Sequence, residues 1–134
     1  MKNHKYLFGL LILILIIYVL HIISLEYFLY WRFLWTDILM HFLGGLWISL
    51  ASYHFAAKFY DINFFALVVS TIGTAVLIGV GWELFEYVFG IVPYTKWYVP
   101  DTVSDILMDM IGGIVGFFFI LLFSNIKIQN EKYK

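Results

Sequence analysis

The chain contains no cysteine, which removes disulfides, thiolate metal ligands and cysteine nucleophiles from consideration. It is also poor in charge: Asp, Glu, Lys and Arg together make up 13% of its 134 residues, and the net charge is -1. No basic run occurs beyond a Lys-containing stretch at each end, so nucleic acid has no electrostatic footing here. What fills the sequence instead is apolar, 63% hydrophobic and 22% aromatic, more than a soluble domain of this length can hide. The sequence describes an integral membrane protein, and any partner is expected in or near the bilayer.

Four stretches are long enough to cross a hydrocarbon layer about 30 Å thick, which takes about 20 helical residues. They run over 6–24, 37–57, 64–89 and 103–124. This predicts an all-α integral membrane fold, one transmembrane domain over 1–134 with four spans. The first stretch follows Lys2 and Lys5 as a secretion signal would, but no small-residue cleavage pattern comes after it, so it is expected to stay as an anchor. Cytoplasmic loops are enriched in Lys and Arg. Lys2, Lys5, Lys58, Lys127, Lys132 and Lys134 fall on one side of a four-span arrangement, with Arg32 and Lys96 on the other, which places both termini in the cytoplasm. The two outer loops, 25–36 and 90–102, carry Tyr27, Tyr30, Trp31, Trp35, Tyr94, Trp97 and Tyr98, rings that settle at headgroup level.

One nonapeptide pattern occurs twice: Asp37-Ile-Leu-Met-His41-Phe-Leu-Gly44-Gly45 and Asp105-Ile-Leu-Met-Asp109-Met-Ile-Gly112-Gly113. Both copies run from outside to inside, so the chain reads as two helical hairpins, a pseudo-repeat about an axis along the membrane normal. Span three travels outward and brings Glu83 and Glu86 to within about two turns of its end, while His21 and Glu26 lie at the outer end of span one. The acidic and His residues, except His4, His54, Asp61 and Glu131, thus converge in the outer half of the bilayer. Residues four apart share a helix face, so Asp37 and His41 point together, and Asp101, Asp105 and Asp109 form a stripe that Gly112 and Gly116 continue. Glu83 and Glu86 are expected to form the opposite wall.

Structural roles cover part of this pattern. Small residues in membrane helices serve close packing, and Asp37, Thr36 or Asp101 at the start of a span can cap free N–H groups. His21 and His54 fit an interfacial role, a polar tip in the headgroup layer. His41, Glu83, Asp105 and Asp109 are less easily absorbed, because ionisable side chains at this depth cost several kcal/mol unless they are compensated. Arg32 and Lys96 are the only outer cations, fewer than the acids. Compensation can come from a divalent cation, a ligand set suited to Mg²⁺, Mn²⁺, Zn²⁺ or Fe²⁺, from shared protons, or from a cationic substrate. The metal ligands expected are Asp37, His41, Glu83, Asp105 and Asp109, with Asp101, His21 and Arg32 as outer supports.

The order Asp-x3-His-x2-Gly-Gly, Gly81-Trp82-Glu83-x2-Glu86 and Asp101-Thr-x2-Asp105-x3-Asp109-x2-Gly-Gly resembles the small bacterial and archaeal membrane proteins grouped with the inner-membrane protein YjdF. It is similar, more distantly, to VanZ-like proteins. The likeness covers residues 37 to 117 and implies a compact polytopic helical protein, with a link to glycopeptide resistance at the cell envelope in the VanZ-like branch. Glu86 and Asp109 depart from the Gln and Asn usual in that branch, which makes this cluster more acidic.

Three functions compete on these residues. The first is a metal site of the cell membrane, open to the outer leaflet, that binds or processes a membrane lipid, lipid-linked or envelope substrate as a hydrolase would, with Glu83 or Glu86 as general base and Arg32 or Lys96 as a phosphate contact. The second is a proton or cation transporter, whose pathway would need continuation in a homo-oligomer because the inner halves of spans two and four lack ionisable groups. The third is a scaffold whose acids only lock helices together.

Overall fold

The computed structural model describes residues 3–92 and 97–123. All regular structure there is helical, and four helices are long and apolar enough to cross a membrane: His4–Glu26, Trp35–Phe59, Phe64–Phe89 and Tyr98–Phe123. We label the elements α1 (Asn3–Glu26), α2 (Leu29–Arg32), α3 (Trp35–Phe59), α4 (Phe64–Val68), α5 (Thr74–Phe89) and α6 (Tyr98–Phe123). A five-residue π-helical segment, Val69–Gly73, joins α4 to α5 within the third span.

Three of the four expected spans lie where the sequence placed them, and the fourth begins earlier. Pro100 sits in the first turn of α6, where its missing N–H costs nothing, so the helix reaches back to Tyr98. Asp101 is therefore inside the first turn, its N–H bonded to the Trp97 carbonyl at 3.0 Å, and is not a cap. The capping role expected of Asp37 or Thr36 also fails: α3 starts after Leu34, which makes no side-chain cap bond, and Thr36 is buried with no hydrogen-bond partner for its Oγ1. Among the described residues, Asn63 does cap a helix, accepting from the Ala66 N–H at 2.8 Å at the start of the third span. That span ends at Gly90, whose left-handed φ of 61° lets the Ile91 N–H turn back to the Glu86 carbonyl at 3.0 Å.

Association of helices in lipid gains little from hydrophobicity and depends on close packing and interhelical hydrogen bonds. The most extensive pairing joins α3 to α6, and α5 packs across both. Glycine makes the approach possible. A Cβ on Gly45 would collide with the Asp109 backbone, and one on Gly112 with the Phe42 carbonyl, so the two copies of the nonapeptide meet backbone to backbone. Gly44, its neighbour in sequence, faces open space. Gly45→Ala is therefore expected to destabilise the protein by about 1–3 kcal/mol through overpacking, whereas Gly44→Ala leaves stability unchanged or raises it by roughly 0.5–1 kcal/mol. Paired thermal melts in one detergent would separate the two.

The buried line of the third span is Leu67, Thr71, Ala75, Gly79 and Glu83, each four residues from the last. In a straight α-helix each four-residue step overshoots by about 40°, or roughly 160° over the line. The π-turn takes up one extra residue, about 100°, and keeps Glu83 on the same side as Leu67. At its Leu67 end this line joins Phe117 and Ile120 in an apolar plug, with Leu50, Tyr53, Ile62 and Ile72 packed around it.

The first span is more loosely attached. Only 11% of its apolar window is buried. It leans on α3 through two bonds to backbone carbonyls, Trp47 Nε1 to Leu10 at 2.9 Å and the Tyr6 hydroxyl to Leu50 at 2.8 Å. Such bonds contribute on the order of 0.6 kcal/mol each.

Candidate metal centre

Four side chains from three helices meet in the halves of the spans that lie toward Asp37 and Asp101. His41, on the face of α3 that carries Gly45 and Ser49, is 8% exposed; Glu83 of α5 is 6% exposed, and Asp105 and Asp109 of α6 are 3% exposed each. Asp37, one turn before His41, is half-buried. Gly79 completes the enclosure: a Cβ there would occupy the position of the Asp109 carboxylate.

The imidazole is the centre of the arrangement. Its Nδ1 stands 3.0 Å from Asp109 Oδ2, and its Nε2 lies 3.7 Å from Glu83 Oε1 and 3.9 Å from Asp37 Oδ1. The two nitrogens therefore have different partners. A carboxylate at 3.0 Å favours a proton on Nδ1, and in the neutral ring Nε2 is then the acceptor, the outer-partner arrangement that orients metal-binding histidines. Nε2 faces a volume bounded by carboxylate oxygens. Ligand atoms of Asp37, His41 and Asp105 all lie within 4.8 Å of one another.

Hydrogen bonding leaves this volume unsatisfied. Glu83 Oε1 and Asp105 Oδ1 are buried without a hydrogen-bond partner, although the Thr102 hydroxyl lies against the Glu83 carboxylate. A buried polar atom left without a partner costs about 1–3 kcal/mol, and more when charged. Among the described residues, no Lys or Arg forms an ion pair with any of these acids. The cluster is short of positive charge and of donors, and at Glu83 the unpartnered oxygen stands on the Nε2 side of His41.

The sequence-derived candidates separate into groups. Asp37, His41 and Asp105 come together as a group that could hold a metal ion. Glu83 reaches His41 but stands outside that set. Asp109, expected as a ligand, is engaged with Nδ1 behind the imidazole. Glu86, expected on the wall with Glu83, is turned aside and accepts a bond from the Trp82 indole N–H at 2.9 Å. His21 does not reach the acids; its Nδ1 meets the Tyr30 hydroxyl at 2.8 Å. Burial, and then the carboxylates of Asp37 and Glu86, push the Tyr30 phenol up to about 12, which places Tyr30 at the rim as a neutral group. Arg32 is exposed at the end of α2, with no ion pair among the described residues, and Asp101 is half-buried at the top of α6. Lys96 and Tyr94 lie outside the described residues.

Two residues of the enclosure, Gly79 and Thr102, are not among the sequence-derived candidates, although their spacing marks them. Gly79 precedes Glu83 by four and Thr102 precedes Asp105 by three, which puts each on the face of its acidic neighbour.

Residues 6–125 match the family model described as "Predicted membrane protein (DUF2238)". That family includes the YjdF-like proteins, and the more distant likeness to VanZ-like proteins finds no support. No curated protein and no solved structure matches the chain.

Proposed function

The chain belongs to the DUF2238 family of predicted membrane proteins, and on that premise we propose that it is a multi-pass protein of the cell membrane that holds one divalent cation in the outer half of the bilayer. Both termini are cytoplasmic in this reading, as the lysine distribution favours. Asp37, His41 and Asp105 are the ligands, and Asp109 orients the imidazole. The observation that carries the reading is the gathering of ionisable groups short of partners: Asp37, His41 and Asp105 have ligand atoms within 4.8 Å of one another, and Glu83 Oε1 and Asp105 Oδ1 are buried without a hydrogen-bond partner. A divalent cation would satisfy the excess of carboxylates and take the Nε2 lone pair together. An imidazole with carboxylates fits Zn²⁺, Mn²⁺ or Fe²⁺ better than Ca²⁺, whose ligands are oxygens.

A cation held there would polarise an ester or phosphoryl oxygen and activate water, the chemistry needed to process a lipid-linked or envelope substrate reaching the site from the outer leaflet. Transport is the second reading. Ser49 and Thr71 extend the polar seam inward, but their hydroxyls donate to the Gly113 and Leu67 carbonyls, and the seam ends on Leu67, Phe117 and Ile120. A closed inner end favours a site served from one side.

Elemental analysis of detergent-purified protein tests the proposal. About one divalent ion per chain is expected; metal-free protein of intact helicity after incubation with Zn²⁺, Mn²⁺ and Fe²⁺ would exclude it.

A further inference from the structure

The connection between the first two spans has two unlike sides. Leu29 and Tyr30 are half-buried, and the Tyr30 hydroxyl is fixed at 2.8 Å from His21 Nδ1 on α1, so the inner side is docked on the bundle. The outer side is apolar and uncovered among the described residues. Tyr27, Phe28, Trp31, Phe33, Leu34 and Trp35 are each between 47% and 77% exposed. Their rings adjoin, Phe28 against Trp31 with centroids 5.8 Å apart and Phe33 against Trp35 at 6.1 Å, and the patch runs on from the exposed Ile22, Ile23 and Leu25 at the end of α1. Facing water, such a contiguous surface would be the kind soluble proteins avoid.

Two further features separate this segment from an aqueous loop. The N–H groups of Tyr27, Phe28, Trp31, Arg32, Phe33 and Thr36 all donate to carbonyls of the segment or of the last turn of α1, over 2.8–3.3 Å. That meets the condition for backbone lying where water is scarce. Phe28 is the second feature. Alone among the described non-glycine residues it has a left-handed φ, 56°, a conformation that the Cβ disfavours. Its ring, 63% exposed, gains little from the protein to offset this cost. Immersed in lipid, the same ring returns the free energy of burying an aromatic side chain, which is of the same order or larger.

Arg32 indicates the partner. It is the only arginine of the chain, and it sits exposed at the end of α2 with no ion pair among the described residues. Flanked by Trp31 and Phe33, a guanidinium is accommodated by extending its head to the phosphate layer, whose oxygens match its fork of donors. We propose that residues 27–35 form an in-plane membrane segment on the Asp37 side of the bilayer, with their rings about 5–10 Å into the boundary of headgroups and acyl chains, and that its partner is a phospholipid whose phosphate pairs with Arg32. Since α3 begins at Trp35, Asp37 follows about 3 Å further along the helix. The acidic cluster then opens among lipid headgroups and not into bulk water.

The full chain in phosphatidylcholine nanodiscs, in phosphate-free buffer, provides the test. Neither measurement uses a metal, so the outcome is separate from that of the metal centre. Trp31 is read as the emission lost in Trp31→Phe, a substitution that keeps an apolar ring at an exposed position and leaves the fold intact. That emission is expected at short wavelength, and quenched more strongly by phosphatidylcholine brominated high on its acyl chains than by aqueous iodide. The reverse order overturns the proposal. Labelling with ¹³C-guanidinium arginine marks Arg32 alone, and the lipid supplies the only phosphorus. Dephasing of the Arg32 carbon signal by lipid ³¹P is expected; an undiminished signal overturns the proposal as well, by leaving the guanidinium in water.

Discussion

His41→Ala and Asp105→Ala are each expected to yield protein that folds and purifies without metal, whereas Asp109→Asn yields protein that still binds it, with affinity lowered about 10–100-fold. The order follows from position. His41 and Asp105 supply atoms to the ligand set, and removing either leaves two ligands for an ion that needs at least three from the protein. Asp109 acts from behind, at 3.0 Å from Nδ1. The amide that replaces its carboxylate can still accept the Nδ1 proton but no longer adds charge to it, so the imidazole keeps its direction and loses basicity. Isothermal titration of Zn²⁺ into the three variants reads the series. Asp109→Asn falling to the level of His41→Ala would make Asp109 a direct ligand and reverse the reading of the imidazole. Folding is expected to survive in all three, because the α3–α6 contact rests on Gly45, Gly112 and Gly116, which lie beyond these side chains along the two helices.

The same residues show what the sequence could and could not convey. The nonapeptide copies located the ionisable cluster, since two ionisable residues four apart on one face of an apolar helix are costly to hold in a membrane unless something compensates both. Spacing along one helix could not say which nitrogen of His41 meets which acid, because that depends on how α3 and α6 approach. Their approach is fixed by Gly45 and Gly112, at positions where sequence alone reads only small residues. Spacing therefore makes Asp109 a ligand, and only the meeting of the helices puts it behind the imidazole. Glu86 illustrates the converse: three residues from Glu83, it differs by about 60° around the helix, and that rotation is enough to give its carboxylate to Trp82 instead of the cluster. The π-turn was also hidden. Its hydroxyls, Ser70 and Thr71, bond to carbonyls of their own helix as they would in any membrane helix, and only the four-residue rhythm from Leu67 to Glu83 marks the turn.

That rhythm supplies the last expected result, from two deletions matched in everything but register. Val69 and Val80 are both valines of the third span, 46% and 45% exposed, and removing either shortens the span by about 1.5 Å. Val69 lies in the π-turn, which already holds one residue more than an α-turn needs; its deletion restores a regular turn and leaves the residues above and below on their present faces. Val80 lies between Gly79 and Glu83 in regular α-helix. Its deletion turns everything beyond it by about 100°, sets Leu84 where Glu83 faces His41, and points the Glu83 carboxylate toward lipid. Exposing an ionised carboxylate to hydrocarbon costs up to about 2.5–3.5 kcal/mol by insertion scales. The Val69 deletion is accordingly expected to express and fold like the unmodified chain, and the Val80 deletion to lose most of its folded yield. Equal behaviour of the two would mean that the π-turn does not set the register of Glu83, and that the site tolerates a third span rotated by a quarter turn or more.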